Sequence, residues 1–383
     1  MSPTSSSGGE GFDGPPSPDH RNHLLSSAIR QLYVPTPRLP LDPETLALFR
    51  WSRPDLYSLV EQADADEQER KAQESKLVEH IVKTRDKIML ETQYPCLAAY
   101  AFLVPGMVFQ EPYGRALDLL RNDEGGTRRP TFLDLGCGLG QDIRAILSRD
   151  PVLGRAGIPA ERCVASDLLG SLMRAGFELF GDREGEGGLE GVKWVEADVF
   201  KREDLERLKK LTDGGEGYDV IFLGSFLHLF SLSAQKRCLA ALDYLLSRRP
   251  GSIIFGRQTG CDQAYNVVKR QEGSKPAAAR SEHEQGEDPQ SEVFRHDART
   301  FKLLAEQGKV GIEGIDVPGG EAQRFKWRCD SEVHSVAAEG GGKDPKRNAK
   351  IKEGEGMQRR RDGTADGEQT HEIKSLHFCI TRT

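Results

Sequence analysis

The segment L-D-L-G-C-G-L-G-Q-D, residues 133–142, contains the residue types best suited to bind a ligand. Alternate positions within it are glycines: Gly136, Gly138 and Gly140. Glycine permits positive φ and lets a ligand approach the backbone closely where a buried strand turns into a helix. A dinucleotide-binding loop needs its last glycine where Gln141 stands, and the Asp142 carboxylate at the helix start disfavours a pyrophosphate. A hydride-transferring oxidoreductase is therefore the least favoured interpretation.

Acidic residues lie at the ends of three successive predicted strands, as Asp134, Asp167 and Asp198. Ligands of parallel sheets bind at the carboxyl edge, so we expect these carboxylates to lie close together. Asp167, followed by Leu168, is placed to accept both ribose hydroxyls of a nucleoside. Asp198 is placed to accept from an exocyclic amine, with Val199 as an apolar wall. The alternative for each acid is a helix N-cap that follows a strand.

The fourth predicted strand continues into G-S-F-L-H-L-F, residues 224–230. Ser225 lies two residues past the strand, and we expect it in the ligand site. His228 lies five residues past the end of the predicted strand, and its imidazole could take a proton from a hydroxyl or orient a carboxylate. The alternative is a hydrogen-bonded structural histidine at the start of a helix.

The order of elements predicts an α/β fold that positions these residues. Short apolar runs predict five strands, at 131–135, 162–167, 192–198, 219–223 and 252–256. Helical patterns separate several of these runs, and strands alternating with helices form parallel sheets through right-handed crossovers. A helix at 297–307 follows, and two more strands, Arg324–Cys329 and Lys374–Arg382, predict a terminal antiparallel hairpin.

Composition divides the chain into a tail, a helical cap and an α/β domain. Residues 1–22 are rich in Ser, Gly and Pro and bury too little surface to order a chain. Residues 23–125 form the predicted cap or lid, with an amphipathic helix from about residue 55 to 90. The main domain follows at 126–383. Two polar insertions interrupt it, at 270–292 and 336–372.

Overall composition excludes several classes of protein. The net charge of −7 argues against a dedicated nucleic-acid partner. The sequence contains no run of 18 apolar residues, so it predicts no membrane span. Seven scattered cysteines without a C-x-x-C pair indicate reduced thiols and no metal site. We expect a cytoplasmic protein with a small-molecule partner; a homodimer is compatible with the sequence.

The D-x-G-x-G-x-G pattern that begins at Asp134 resembles the first motif of class I S-adenosylmethionine-dependent methyltransferases. The resemblance implies a Rossmann-like fold with a seven-stranded, mostly parallel sheet. It also implies that the glycine turn cradles the methionine end of S-adenosylmethionine and that Asp134 serves its ammonium group. Enzymes of this class that methylate adenine amines or glutamine carry an Asn-Pro-Pro-Tyr-like element after the fourth strand. Gly224-Ser225-Phe226 stands there instead, which favours an oxygen acceptor.

Further motifs resemble a narrower family, the fungal secondary-metabolite methyltransferases of meroterpenoid (austinol-type) biosynthesis. The motifs are T-Q-Y-P-C-L at 92–97, S-F-L-H-L-F-S-L-S-A-Q at 225–235 and V-F-R-H-D at 293–297. The resemblance implies that a carboxylate of a polyketide–terpenoid intermediate becomes a methyl ester. Two alternatives stay open: a phenol or hydroxyl O-methyltransferase with His228 as base, and a non-catalytic, cofactor-binding regulatory protein.

Overall fold

The computed structural model describes nine stretches of the chain. They are 67–92, 94–98, 100–122, 129–148, 157–182, 189–268, 292–307, 327–335 and 373–383. The predicted tail, residues 1–22, and the predicted insertion 336–372 lie outside these stretches. So does the insertion predicted at 270–292, except for Glu292, which is the first residue of a strand.

A seven-stranded sheet forms the centre of the molecule, in the order β3-β2-β1-β4-β5-β9-β8. Its strands are β1 (Phe132–Leu135), β2 (Cys163–Asp167), β3 (Lys193–Glu196), β4 (Val220–Gly224), β5 (Ile253–Cys261), β8 (Trp327–Ser335) and β9 (Ile373–Arg382). The first five pair in parallel, and β9 runs antiparallel to both β5 and β8. This confirms the predicted Rossmann-like fold class with its terminal antiparallel hairpin.

Helices cover both faces of the sheet, which explains why the central strands read as apolar runs. The helices of the α/β domain are α4 (Gln141–Leu147), α5 (Gly170–Phe180), α6 (Arg202–Lys210), α7 (Leu232–Leu245) and α8 (Ala298–Gln307). One buried cluster joins α6, α7 and α8 to the sheet, and a second joins α4 to the opposite face. No helix within the described residues combines the length and apolar composition of a membrane span.

The described part of the cap packs against the α/β domain beside the glycine turn. Its helices are α1 (Glu67–Met89), α2 (Pro95–Ala98) and α3 (Tyr113–Arg121). Ile81 and Ile88 of α1 are buried, as the predicted amphipathic helix requires, in a cluster that includes Leu139 of the glycine turn. His80 Nε2 lies 3.1 Å from the carbonyl oxygen of Glu178 in α5. The cap is therefore attached to the segment that precedes α4.

The apolar stretch 97–109 differs from the helical prediction, because it forms two short 3-10 turns at Ala101–Leu103 and Gly106–Phe109. Tyr100, with φ 54°, turns the chain away from helical geometry before the first turn. Pro105 precedes the second and removes a backbone donor. Local backbone conformation therefore outweighs hydrophobic content here.

Further elements of the α/β domain also differ from the prediction. β8 continues to Ser335 instead of ending at Cys329. The prediction ended too early because the exposed face of this strand is polar and resembles a loop in sequence. A separate antiparallel pair, β6 (Tyr265–Val268) and β7 (Glu292–Arg295), was not predicted. Helix α6 was not predicted either.

Candidate active site

The glycine turn between β1 and α4 adopts the conformation that its composition predicts. Gly136, Gly138 and Gly140 have φ of 78°, 57° and 75°. A β-carbon at Gly136 would lie 2.6 Å from the Phe226 ring, and one at Gly140 would lie 2.7 Å from Trp194. A β-carbon at Gly138 would meet no atom within 4 Å. The turn is therefore closed on two sides and open at its centre, where a ligand can approach.

The end of β2 holds this turn through backbone hydrogen bonds. The amides of Gly136 and Cys137 both donate to the carbonyl of Ser166, at 2.8 and 3.0 Å. The Gly138 amide donates to Oδ2 of Asp167 at 2.9 Å, and the Leu169 amide donates to Oδ1 of the same carboxylate. Asp167 thus uses one acceptor site of each oxygen, and each oxygen keeps a second lone pair.

Arg144 fixes the other side of the turn, and the sequence analysis did not identify it. Its Nη1 donates to the carbonyls of Leu139 and Gly140, at 2.8 and 3.0 Å. Its other nitrogens form a bidentate pair with Asp182, and its guanidinium lies 4.3 Å from the centre of the Phe180 ring. A lone arginine inside a helical pattern gives no signal of this role, because its partners are backbone carbonyls.

Three carboxylates converge at the turn: Asp134, Asp142 and Asp167. Burial raises the pKa of Asp134 well above its usual value, and the charges of Asp142 and Asp167 raise it further. Burial also raises the pKa of Asp142 to about 6 and that of Asp167 above its usual value. Among the described residues, no lysine or arginine nitrogen lies within 4 Å of these carboxylates. The group therefore forms a buried region of negative potential.

Hydrogen bonds distinguish the members of this group. Oδ1 of Asp142 accepts from the Met107 amide at 2.7 Å, which ties the cap to α4. Oδ2 of Asp142 accepts from Nε2 of Gln141 at 3.2 Å. Oδ2 of Asp134 is buried and accepts no hydrogen bond from a described residue. Buried polar atoms are normally bonded, so this oxygen is a good candidate to receive a donor from a ligand.

The residues after β3 lie one strand further along the same edge. Asp198 and Val199 are both buried, and Oδ1 of Asp198 accepts from the Phe200 amide at 2.9 Å. The Asp198 amide in turn donates to Asp204 in α6. This turn matches the capping alternative in part, because Asp198 stabilises the chain that leads into the helix. Leu168, after β2, is one of the few exposed large apolar side chains, at 36%.

The loop after β4 begins with an uncommon backbone conformation. Ser225 has φ 59°, and its amide donates to the carbonyl of Arg257 in β5 at 2.7 Å. A non-glycine residue in this region costs about 1–3 kcal/mol and persists only where its surroundings hold it. The Phe226 ring lies over Gly136. His228 is half-buried in a 3-10 turn, Leu227–Leu229, rather than in a helix.

Strand β7 supports this loop from outside the main sheet. Arg295 Nη1 donates to the carbonyl of His228 at 2.8 Å. Nε2 of Gln235 donates to the carbonyls of Phe230 and Phe294, at 3.0 and 2.9 Å. His296 Nε2 lies 3.1 Å from Oε1 of Gln235. The motif V-F-R-H-D therefore fixes the loop that carries His228.

Arg257 of β5 brings a buried positive charge to the same edge, and the sequence analysis did not identify it. Arg257 lies opposite Gly224, at the end of β4, in the parallel pairing of β4 and β5. The residue is 9% exposed. The guanidinium packs so closely on Gly106 of the cap that a β-carbon there would lie 3.0 Å from Nε. Burial raises the pKa of Asp142 and of the Cys96 thiol, and the charge of Arg257 offsets part of that rise.

Cys96, in the Y-P-C motif, packs on the buried cluster of the cap. Burial raises the pKa of its thiol to about 11, and the charges of Arg257 and Asp167 both act on it. The thiol is therefore protonated at neutral pH and serves as a packed side chain.

Comparisons with curated proteins agree with the motif analysis. The chain is 31% identical over 183 residues to the O-methyltransferase atr3 of Stereocaulon alpinum, covering 48% of this chain and 47% of that protein. It is 32% identical over 232 residues to the O-methyltransferase phiE of a fungal species, covering 60% and 65%. It is 29% identical over 199 residues to the asnovolin E/chermesin D methyltransferase nvfJ of Aspergillus novofumigatus, covering 52% and 63%. The chain thus spans about half to just under two thirds of these relatives.

Two further comparisons add less. No protein-family model matches the chain. A solved structure of a Burkholderia thailandensis 1,6-didemethyltoxoflavin N1-methyltransferase, with bound S-adenosylhomocysteine, is 17% identical, with a TM-score of 0.35, and covers 83% of this chain and 91% of that one. The resemblance predicted from the motifs is nonetheless confirmed by the curated relatives: this chain is similar to the fungal secondary-metabolite O-methyltransferases.

Proposed function

We propose that this protein is an S-adenosylmethionine-dependent O-methyltransferase that converts a carboxylate of a small secondary metabolite into a methyl ester. The observation that carries the proposal is the group of three carboxylates at the glycine turn, of which Asp134 and Asp142 are buried and Asp167 is half-buried. None of them pairs with a described lysine or arginine. S-adenosylmethionine brings two positive charges, on its sulfonium and its ammonium. Its own carboxylate leaves it with a net charge of +1, so its positive groups offset part of the cost of burying these acids.

The residues present fit this cofactor. Asp134, with its unbonded buried oxygen, would receive the ammonium group. The turn around Gly138, where space is open, would cradle the methionine end. Asp167 keeps one lone pair on each oxygen for the ribose hydroxyls. Asp198 and Val199 would border the adenine.

When bound, the cofactor supplies a methyl group that is already activated by the sulfonium. Transfer to an acceptor oxygen would form a C–O bond at the expense of the C–S bond, whose electrons would stay on sulfur as a neutral thioether. The protein therefore needs chiefly to orient the acceptor and exclude water. A carboxylate is ionised at neutral pH, so no residue has to remove a proton.

Arg257 supports a carboxylate as the acceptor. Arg257 lies in the middle of β5, opposite Gly224 at the end of β4, and its backbone carbonyl accepts from the Ser225 amide. Its guanidinium lies against Gly106 of the cap. A guanidinium binds a carboxylate through paired, charge-assisted hydrogen bonds, which orient as well as attract it. The cap segment at Gly106 covers this charge, which keeps water away from it and strengthens the attraction.

The relatives support transfer to oxygen, because atr3 and phiE are both named O-methyltransferases. The residues after β4 support it independently, since Gly224-Ser225-Phe226 provides none of the amide and proline geometry of the amine-methylating enzymes. The meroterpenoid class of acceptor rests on the motif resemblance and on the relative named for asnovolin E and chermesin D.

The decisive experiment presents the full chain and S-adenosylmethionine with matched acceptors. Each pair contains an aromatic or terpenoid carboxylic acid and the corresponding phenol or alcohol without the acid. We expect the acid to gain the mass of one methylene and the product to be cleaved by mild alkali, as an ester is. Methylation of the phenols alone would replace the carboxylate with a hydroxyl acceptor. Absence of S-adenosylhomocysteine binding by calorimetry would refute the methyltransferase proposal as a whole.

A further inference from the structure

The terminal hairpin carries a second cluster of chemically active side chains. We name Glu332, His334 and His377 the hairpin triad. Glu332 lies directly opposite His377 across β8 and β9, and His334 is two residues further along β8, opposite Ser375. Side chains at i and i+2 of one strand share a face, as do directly opposite residues of an antiparallel pair. The strand register therefore places all three side chains on one face.

The ligand atoms of the hairpin triad are close enough to share one ion. His334 Nε2 lies 2.9 Å from Oε1 of Glu332, and the two imidazole rings have centroids 4.4 Å apart. One nitrogen or oxygen of each residue lies within 4.8 Å of the others. Ligands of a tetrahedral zinc ion are about 3–3.5 Å apart. Small rotations of the exposed His334 and Glu332 side chains would close this difference.

The chemistry of the donors selects a class of metal. Two imidazoles and one carboxylate form the set that zinc uses with an open fourth position, whereas calcium and magnesium prefer oxygen ligands alone. A neutral imidazole keeps a lone pair on one of its two ring nitrogens, and that nitrogen can bind the metal. The Ser375 hydroxyl, 2.9 Å from His377 Nε2, orients the ring.

We propose that the hairpin triad binds one divalent transition-metal ion, with Zn²⁺ as the best match. The ion would join the edge strand β8 to its neighbour β9. It would lie near the end of the hairpin at which residues 336–372 connect the two strands. It would thereby stabilise the hairpin against separation of its strands. Its ligands include none of the residues assigned to the cofactor or the acceptor, and Arg257 of β5 lies directly opposite His377 of β9.

Calorimetric titration of the full chain with ZnCl₂ tests the proposal. We expect one ion per chain in the wild-type protein, and at least about tenfold weaker binding in each of His334→Gln and Glu332→Gln. These side chains are exposed, so neither change should disturb the fold. Thermal unfolding should show a zinc-dependent rise in melting temperature that is lost in the same two variants.

Asp330→Asn is the matched control, because Asp330 is an exposed carboxylate on the same strand and face but pairs with Arg328 instead. This variant should bind zinc as the wild type does. Equal zinc affinity in the wild type, His334→Gln and Glu332→Gln would overturn the proposal and assign any binding to other groups, such as thiols. Absence of binding in the wild type would overturn it outright.

Discussion

The two halves of the sheet edge that forms the candidate site are built differently. Along β1 and β2, the carboxylate of Asp167 is fixed by two backbone amides. The glycine turn is fixed by backbone hydrogen bonds to the end of β2 and by the guanidinium of Arg144, which donates to two carbonyls of the turn. Along β4 and β5, the key groups are the longer side chains of His228 and Arg257, on a strained loop and beneath the cap. We call these the cofactor half and the acceptor half.

The difference teaches how one fold can keep its cofactor and change its substrate. Backbone groups do not change with side-chain substitution, so the cofactor half is a fixed frame. The acceptor half depends on β7 and the cap, which lie outside the main sheet and can vary without disturbing the frame. Changes in the cofactor half should therefore abolish binding, while changes in the acceptor half should alter selectivity or rate.

The largest expected effect is in the cofactor half. Asp167→Ala removes two proposed charge-assisted hydrogen bonds to ribose, each contributing about 1.5–3 kcal/mol, so S-adenosylhomocysteine affinity should fall by about 10²–10⁴-fold. Calorimetry measures this loss. Asp118→Ala, an exposed acid on α3, should leave the affinity unchanged. Unchanged affinity in Asp167→Ala would remove the ribose assignment.

In the acceptor half, Arg257→Gln should reduce kcat/KM for a carboxylate acceptor by about 10–100-fold, because a charge-assisted hydrogen bond is lost. S-adenosylhomocysteine affinity should stay within about threefold of the wild type, since the frame is intact. Arg257→Lys, which keeps the charge but loses the paired geometry, should recover part of the activity. A parallel loss of cofactor affinity would show that the two halves are not separable.

The link between the two halves is Asp142, which touches the cap and faces Arg257. Its pKa is raised to about 6 by burial, so between about pH 4 and pH 6 the unfolded chain releases this proton first. The free energy of unfolding contributed by this group therefore falls as pH rises through that window. In Asp142→Asn the side-chain oxygen can still accept from the Met107 amide, and the side chain cannot ionise. The free energy of unfolding of this variant at pH 7 should therefore exceed that of the wild type by up to about 3 kcal/mol.

Urea unfolding of the ligand-free protein at pH 4 and pH 7 measures this difference, which should vanish at the lower pH. Rotation of the Gln141 amide would let its unbonded Oε1 accept from the new amide of residue 142, so the substitution should fit without strain. An Asp142→Asn variant less stable than the wild type at pH 7 would contradict the argument.

The smallest expected effect is that of His228→Gln. With a carboxylate acceptor no proton leaves before attack, so kcat should fall by less than about tenfold. With a phenol or alcohol acceptor, loss of a general base should cost about 10²–10⁴-fold, and the loss should shrink as the pH approaches the acceptor's own pKa. Steady-state rates from neutral to alkaline pH distinguish the two. A thousandfold loss that alkali partly restores would favour the hydroxyl alternative.

Local sequence was sufficient to predict the cofactor half. Strands β1, β2 and β4 are buried on both faces, so their apolar runs alone located them. The three glycines predicted a turn that requires positive φ. Groups whose roles depend on distant partners could not be found this way. Arg144 bonds to the carbonyls of the turn, and Arg257 meets the cap only after β5 and residues 106–109 have come together. The polar face of β8 was missed because exposure, not sequence, separates an edge strand from a loop.

The packing of Trp194 has an optical consequence. Its indole lies against Gly140, meets Phe177 edge-on at 4.9 Å, and is one of only three tryptophans in the sequence. Indole emission depends on nearby charge and on the polarity of its surroundings, so a cationic ligand that settles into the glycine turn should change it. A variant with Trp51→Phe and Trp327→Phe would leave Trp194 as the sole emitter. The protein would then report occupancy of its own turn in real time, without any attached label.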